Sequence, residues 1–133
     1  MQVGDVFGPY RCHVSREQLV RYAGASDDYN PIHYDDEAAR SFGLPGVIVH
    51  GMLNMGLIAR WIMEEAFRGD ARLEQYSVRF RQMVQPNREL AVTGKVRDID
   101  GDLVHLDVQL GELNERPAVT GKMRLRMGAG KEE

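Results

Sequence analysis

Between residues 26 and 36 the chain reads Ser-Asp-Asp-Tyr-Asn-Pro-Ile-His-Tyr-Asp-Asp, with four aspartates around one histidine and one proline. A carboxylate and an imidazole can share acid–base work, one taking a proton while the other gives one, and an imidazole titrates near neutrality. Asp28 and His33 are the pair this chemistry needs. Their spacing leaves them roughly 140° apart around a helix and on opposite faces of a strand, so neither regular element joins them. Pro31 changes that, because it offers no N–H to a ladder and drives Asn30 out of the helical region. A bend there can aim both side chains at one point. The plainer reading is that Asp27 and Asp28 close one helix, Asp35 and Asp36 open the next, and His33 is a loop residue. Metal ligation by His33 with Asp28 or Asp35 is weaker still, because no second histidine sits at ligand spacing.

The stretch Val49-His50-Gly51-Met52-Leu53 suggests a second function. Gly51 opens an apolar helical pattern whose first backbone N–H groups are unpaired and lie at the positive end of the helix dipole. A carbonyl oxygen gaining charge can settle there, and a glycine lets it approach the backbone closely. A plain tight turn into the helix is the alternative. His50, at the same positive end, resists protonation and is not a candidate base. His105 alternates with apolar neighbours and points to solvent, and His13, beside Cys12, sits on an edge strand.

These residues need elements to hold them. Ser15 with Gln18 forms a capping box for a helix carrying Leu19, Tyr22 and Ala23 on one face, ended by Gly24 and the residues after it. Residues 35–43 read as a short helix with acids in its first turn and Gly43 as its stop, followed by a turn at Pro45-Gly46. From Gly51 to Phe67 runs the longest helical pattern, with Met52, Leu53, Met55, Leu57, Ile58, Trp61, Ile62 and Met63 on nearly every side. Such a helix should be wrapped by other structure.

The period then changes to two. Tyr76, Val78 and Phe80 alternate with polar residues, as do Leu90, Val92 and Val96, then Val104, Leu106, Val108 and Leu110, then Val119, Met123 and Leu125. Asp100-Gly101 is the hairpin-turn candidate. One-sided antiparallel strands need an apolar cover, and the 51–67 helix is the best one. The pattern predicts an α+β domain over 1–133, a curved antiparallel sheet around a central helix, with 128–133 as a loose tail.

The segment from Tyr22 to Leu53, with its Asp28-x-Asn30-Pro31-x-His33 run, short helix and His50-Gly51-Met52, closely resembles the hydratase signature of the MaoC-like family, whose members include R-specific enoyl-CoA hydratases and 3R-hydroxyacyl-thioester dehydratase subunits. The resemblance is strong over roughly residues 15–60; beyond them Tyr76–Pro86 resembles the family's next strand. It implies a hot-dog fold, a catalytic pair at Asp28 and His33, a Gly51 amide that polarises a thioester carbonyl, and an Asn30 that orders the loop. It also implies an acyl tunnel along residues 51–62, with His50, Met52 and Met55 as substrate contacts, and a substrate carried on CoA or acyl carrier protein. Arg79, Arg81, Lys122 and Arg124 are candidates to meet the carrier's phosphates, with a solvated strand face as the alternative for each. No metal or redox cofactor is implied. Two positions depart from the family: Asp27 stands where many relatives have glycine, and Asn87-Arg88 where Gly-Asp is usual.

Composition narrows the rest. Of the 133 residues 43% are apolar, the net charge is −3, and Cys12 is the single cysteine. That excludes an intramolecular disulfide and a zinc-finger spacing, gives no basic footprint for nucleic acid, and leaves no run near the roughly 18 apolar residues that span a bilayer. The start has neither the basic nor the apolar part of a signal peptide. The expectation is a soluble cytoplasmic protein, assembled as a homodimer or with a homologous subunit because a lone sheet leaves edges open. The rivals to a hydratase are a hot-dog thioesterase, a subunit that completes a heterodimer and is silent alone, and a binding module that keeps the fold.

Overall fold

The computed structural model describes residues 1–128; the expected tail lies, apart from Gly128, outside the described residues. Chain order is β1 (Val6–Cys12), α1 (Arg16–Ser26), a single 3-10 turn at Pro31–His33, α2 (Asp36–Ser41), α3 (Gly51–Arg60), β2 (Ala71–Phe80), β3 (Leu90–Asp100), β4 (Leu103–Glu112) and β5 (Val119–Met127). The strands form one sheet in the order β1-β3-β4-β5-β2, with every neighbouring pair antiparallel.

Local signals set the first elements. Ser15 accepts from the Gln18 amide while the Gln18 side chain accepts from the Ser15 amide, so both halves of the capping box start α1. α1 ends at Asp27, whose φ of 59° is left-handed. Asn87 has φ 61°. Both departures from the family pattern therefore fall where glycine is favoured, and Asp and Asn are among the side chains that tolerate this conformation best.

The alternating strands deliver the core. Leu90, Val92 and Val96, then Val104, Leu106, Val108 and Leu110, then Val119, Met123 and Leu125 are all buried, against Ile58 and Ile62 of the helix. Gly94 of β3 makes the close approach possible: a Cβ there would lie 2.8 Å from Ile62 Cδ1.

Several expectations shift. Asp100 pairs with Leu103, so the hairpin turn is Gly101-Asp102, one residue later than expected. Past Arg60 the long helix widens into a π-helical turn over Trp61–Ala66, where Trp61 stacks on Tyr10 with ring centroids 5.5 Å apart. Only one side of the helix is fully covered: Asn54, Ile58 and Ile62 are buried, whereas Met52 is exposed. Phe80 belongs to the rim rather than the core: it is exposed although it pairs with buried Val119, and its ring lies against Gly51 at the start of α3. β1 is hard to read as a full strand from its residues because its pairing with β3 shifts register between Phe7 and Tyr10. His13 is exposed beside that edge, and His105 is half-buried.

Candidate active site

The loop from α1 to α2 is a chain of short-range hydrogen bonds. Asp27 turns the backbone, the Asn30 amide donates to Asp28 Oδ1 (3.4 Å), and Asn30 Oδ1 accepts from the Ile32 amide (3.3 Å) to cap the 3-10 turn. The Tyr34 hydroxyl donates to the Tyr29 carbonyl, and Asp35 caps α2 through the Glu37 and Ala38 amides. The plain helix-end reading is thus correct for Asp27 and Asp35. It fails for Asp28 and His33, which the bend brings together.

Asp28 Oδ2 lies 3.8 Å from His33 Nε2 and 3.9 Å from His50 Nε2. His33 Nδ1 is 2.8 Å from the Ile48 carbonyl oxygen. That contact needs a proton on Nδ1, which leaves Nε2 as the acceptor beside Asp28 when the ring is neutral. His33 is buried, whereas the Asp28 side chain is about half exposed.

His50 stacks on His33 with centroids 3.7 Å apart and planes 22° apart, and meets the Tyr22 ring edge-on. Burial first, and the neighbouring His33 second, hold its pKa below the ordinary 6.5, partly opposed by Asp28. Its resistance to protonation is as expected, although burial is the leading cause. The fold therefore supplies the second histidine that the local spacing lacked, and Asp28, His33 and His50 offer ligand atoms within 4.8 Å of one another.

The lowered His50 pKa has a consequence for stability. A group whose folded pKa is depressed stabilises the fold fully above its unfolded value, and that contribution falls as pH drops below 6.5 and the unfolded chain takes up the proton first. On acidification from about pH 7.5 to 5.5, the wild-type melting temperature is expected to fall more than that of His50→Gln. Equal losses in the two proteins would remove His50 as the source.

Gly51 is the first residue of α3, and its cap His50 makes no side-chain bond to the helix end, so the first-turn amides are left for another acceptor. The Phe80 ring lies against it: a Cβ on Gly51 would be 3.2 Å from Phe80 Cε1 and Cζ. His33, Gly51, Asn54, Phe80, Arg81 and Met83 line a cavity of about 330 Å³ with a mostly apolar wall. A larger hollow of about 560 Å³ lies over Ser77, Arg79, Arg81, Gln109, Thr120 and Lys122, and Arg81 borders both. The smaller cavity is the candidate site, because it contains His33 and the open helix end.

The structure thus brings His33 and Gly51 to one cavity, with Arg81 at its rim; Asp28 meets His33 without lining that cavity, and Asn30 orders the loop. Arg79 borders only the larger hollow. His50 backs His33 and does not line the cavity. Met52 sits one residue on from Gly51, about 100° round the helix, and points outward. Met55 is half-buried, and its carbonyl accepts from the Tyr76 hydroxyl (2.8 Å). Asn54 escapes the sequence reading. Its signal is a lone carboxamide in an apolar run, three residues after Gly51 and hence on the same face.

A five-stranded antiparallel sheet packed on a central helix, with a carboxylate–imidazole contact in the loop before it, defines a hot-dog protein. Residues 2–113 match the MaoC-like domain, and the chain belongs to that family. The mitochondrial 3-hydroxyacyl-[acyl-carrier-protein] dehydratase of Arabidopsis thaliana is 38% identical over 90 residues, 68% of this chain and 52% of that protein. The chain therefore spans about half the length of that relative. Among solved structures, the (R)-hydratase from A. caviae involved in PHA biosynthesis superposes with a TM-score of 0.88 at 21% identity, covering 96% of this chain and 97% of that one. The ChsH1–ChsH2 complex from Mycobacterium tuberculosis gives 0.85 at 20% identity, covering 95% and 98%. At these identities the structural likeness speaks for the fold.

Proposed function

We propose that the protein adds water reversibly across the double bond of a trans-2-enoyl thioester to give the 3R-hydroxyacyl thioester. The carrying observation is that His33, 3.8 Å from the Asp28 carboxylate, lines a mostly apolar cavity that also holds the Gly51 end of α3. In the hydration direction the oxygen of water bonds to C3 as its proton passes to one member of the pair. The π electrons of the double bond move toward the thioester, whose oxygen gains charge beside the Gly51 amide. Cα then takes a proton and the carbonyl re-forms. Asp28 and His33 divide the two proton transfers, and no external reductant, oxidant or metal enters the balance. The names of the Arabidopsis and A. caviae proteins support the same chemistry.

The carrier, CoA or acyl carrier protein, lies along the hollow that Arg79, Arg81 and Lys122 border, and Arg81 marks its junction with the cavity. Assembly as a homodimer, or with a homologous subunit, is supported by the open flank of α3 at Met52, by the edge positions of β1 and β2, and by the pairing of ChsH1 with ChsH2. A cytoplasmic setting is consistent with the single cysteine, and no described helix is long and apolar enough to cross a membrane.

The test is a panel of trans-2-enoyl thioesters of short to long chain on both carriers, given to the purified chain while its mass is read by light scattering. Loss of the conjugated absorbance with no free thiol, a 3R product and a dimeric mass are expected. Thiol release with the double bond intact would establish a thioesterase. Silence alone and activity with an added homologous subunit would establish a heterodimer.

A further inference from the structure

Asn54 places a buried carboxamide in an apolar helix. It is 3% exposed, and its Oδ1 has no hydrogen-bond partner among the described residues. A buried amide left unmatched weakens a fold that a leucine at the same place would serve better, so the position calls for a partner from outside the protein. Asn54 lines the same cavity as His33 and Gly51. Helical side chains lean back over the turn that precedes them, which carries its carboxamide toward the Gly51 end of the helix.

The polar groups already there decide what the partner is. His33 Nε2, an acceptor whenever the ring is neutral, lies on one side of the cavity, and the helix start at Gly51 is the source of donors. The atom gaining charge in the proposed reaction is a thioester oxygen, which has lone pairs for more than one donor. A carboxamide carries two N–H bonds on Nδ2, and with Oδ1 unbound nothing on the oxygen side fixes which end it presents. Resting on the hydratase reading, the geometry points to Asn54 as a second donor to the thioester oxygen, completing with the Gly51 amide a two-donor oxyanion site.

Three variants and one spectrum test this. Asn54→Leu keeps the outline and removes the amide; it should melt at or above the wild-type temperature while kcat falls about 10²-fold and KM changes little. Asn54→Asp keeps the acceptor and loses the donor, so it should lose at least as much. Asn54→Ser, with a shorter donor, should recover part of the loss. A bound 2,4-dienoyl thioester should absorb further to the red than in water, because the donors polarise its carbonyl, and Asn54→Leu should shrink that shift. Full activity in the aspartate variant would make Asn54 an acceptor for water or the 3-hydroxyl and overturn the assignment. So would a leucine variant with wild-type kcat and spectrum, or the absence of any red shift in the wild type. A wild type that hydrates no enoyl thioester defeats the hydratase reading instead; the spectrum, which needs binding alone, still decides whether Asn54 donates.

Discussion

Asparagine in place of Asp28, or in place of His33, is expected to lower enoyl-thioester hydration by about 10²–10⁴-fold, the range that positioned acid–base groups supply. The two substitutions differ in their effect on the fold. Asp28 is about half exposed, so Asp28→Asn should leave the melting temperature nearly unchanged. His33 is buried, stacked on His50, and donates to the Ile48 carbonyl. Alanine there would orphan that carbonyl, at about 1–3 kcal/mol, and confuse lost folding with lost chemistry. Asparagine keeps a donor near the Nδ1 position and removes the Nε2 acceptor, so His33→Asn separates the two. The double variant should be hardly slower than either single one, because the pair acts as a unit. Steady-state hydration rates beside thermal melts check all three, and full activity in folded His33→Asn would end the proposed mechanism.

The second large effect belongs to Gly51. Proline removes its N–H, and turnover is expected to fall by about 10²–10³-fold. The site is unusually suited to this change: proline is favoured at the first position of a helix, and His50 already has φ −57° and ψ 133°, the extended backbone that a residue before proline prefers. The clash to absorb is with the Phe80 ring, which is exposed and free to swing away. Gly51→Ala keeps the N–H and meets the same ring, so it should lose far less. Comparing kcat for the two variants, with circular dichroism to show that both fold, isolates the amide. A folded, fully active Gly51→Pro protein would take Gly51 out of the mechanism.

Much of this architecture is legible in the order of the residues. The capping box at Ser15, the period-two strands and the Pro31 bend are local features, and each signals itself within a few residues. The core positions of β3, β4 and β5 follow from alternation alone. What escapes such reading depends on contacts distant along the chain. The stack of His50 on His33 joins a loop to the end of another segment, and no spacing rule announces it. Phe80 reads as core by alternation, yet on this edge strand its ring lies against Gly51 and stays exposed. Met52 and Met55 read as tunnel wall because an apolar helix invites it, and only the helical phase relative to Gly51 shows that Met52 turns away.

Ile48 joins the two halves of the site. Its amide donates to the Ile32 carbonyl, and its own carbonyl accepts from His33 Nδ1. Both contacts use main-chain atoms of Ile48, so they are indifferent to which side chain position 48 carries, provided it is not proline. The proton-transferring loop and the lead-in to the charge-stabilising helix are thereby spliced into one body, and the sheet is not part of the splice. Substitutions that loosen β3 or β4, neither of which lines the cavity, should thin the population of folded molecules and leave the pace of each survivor as it was.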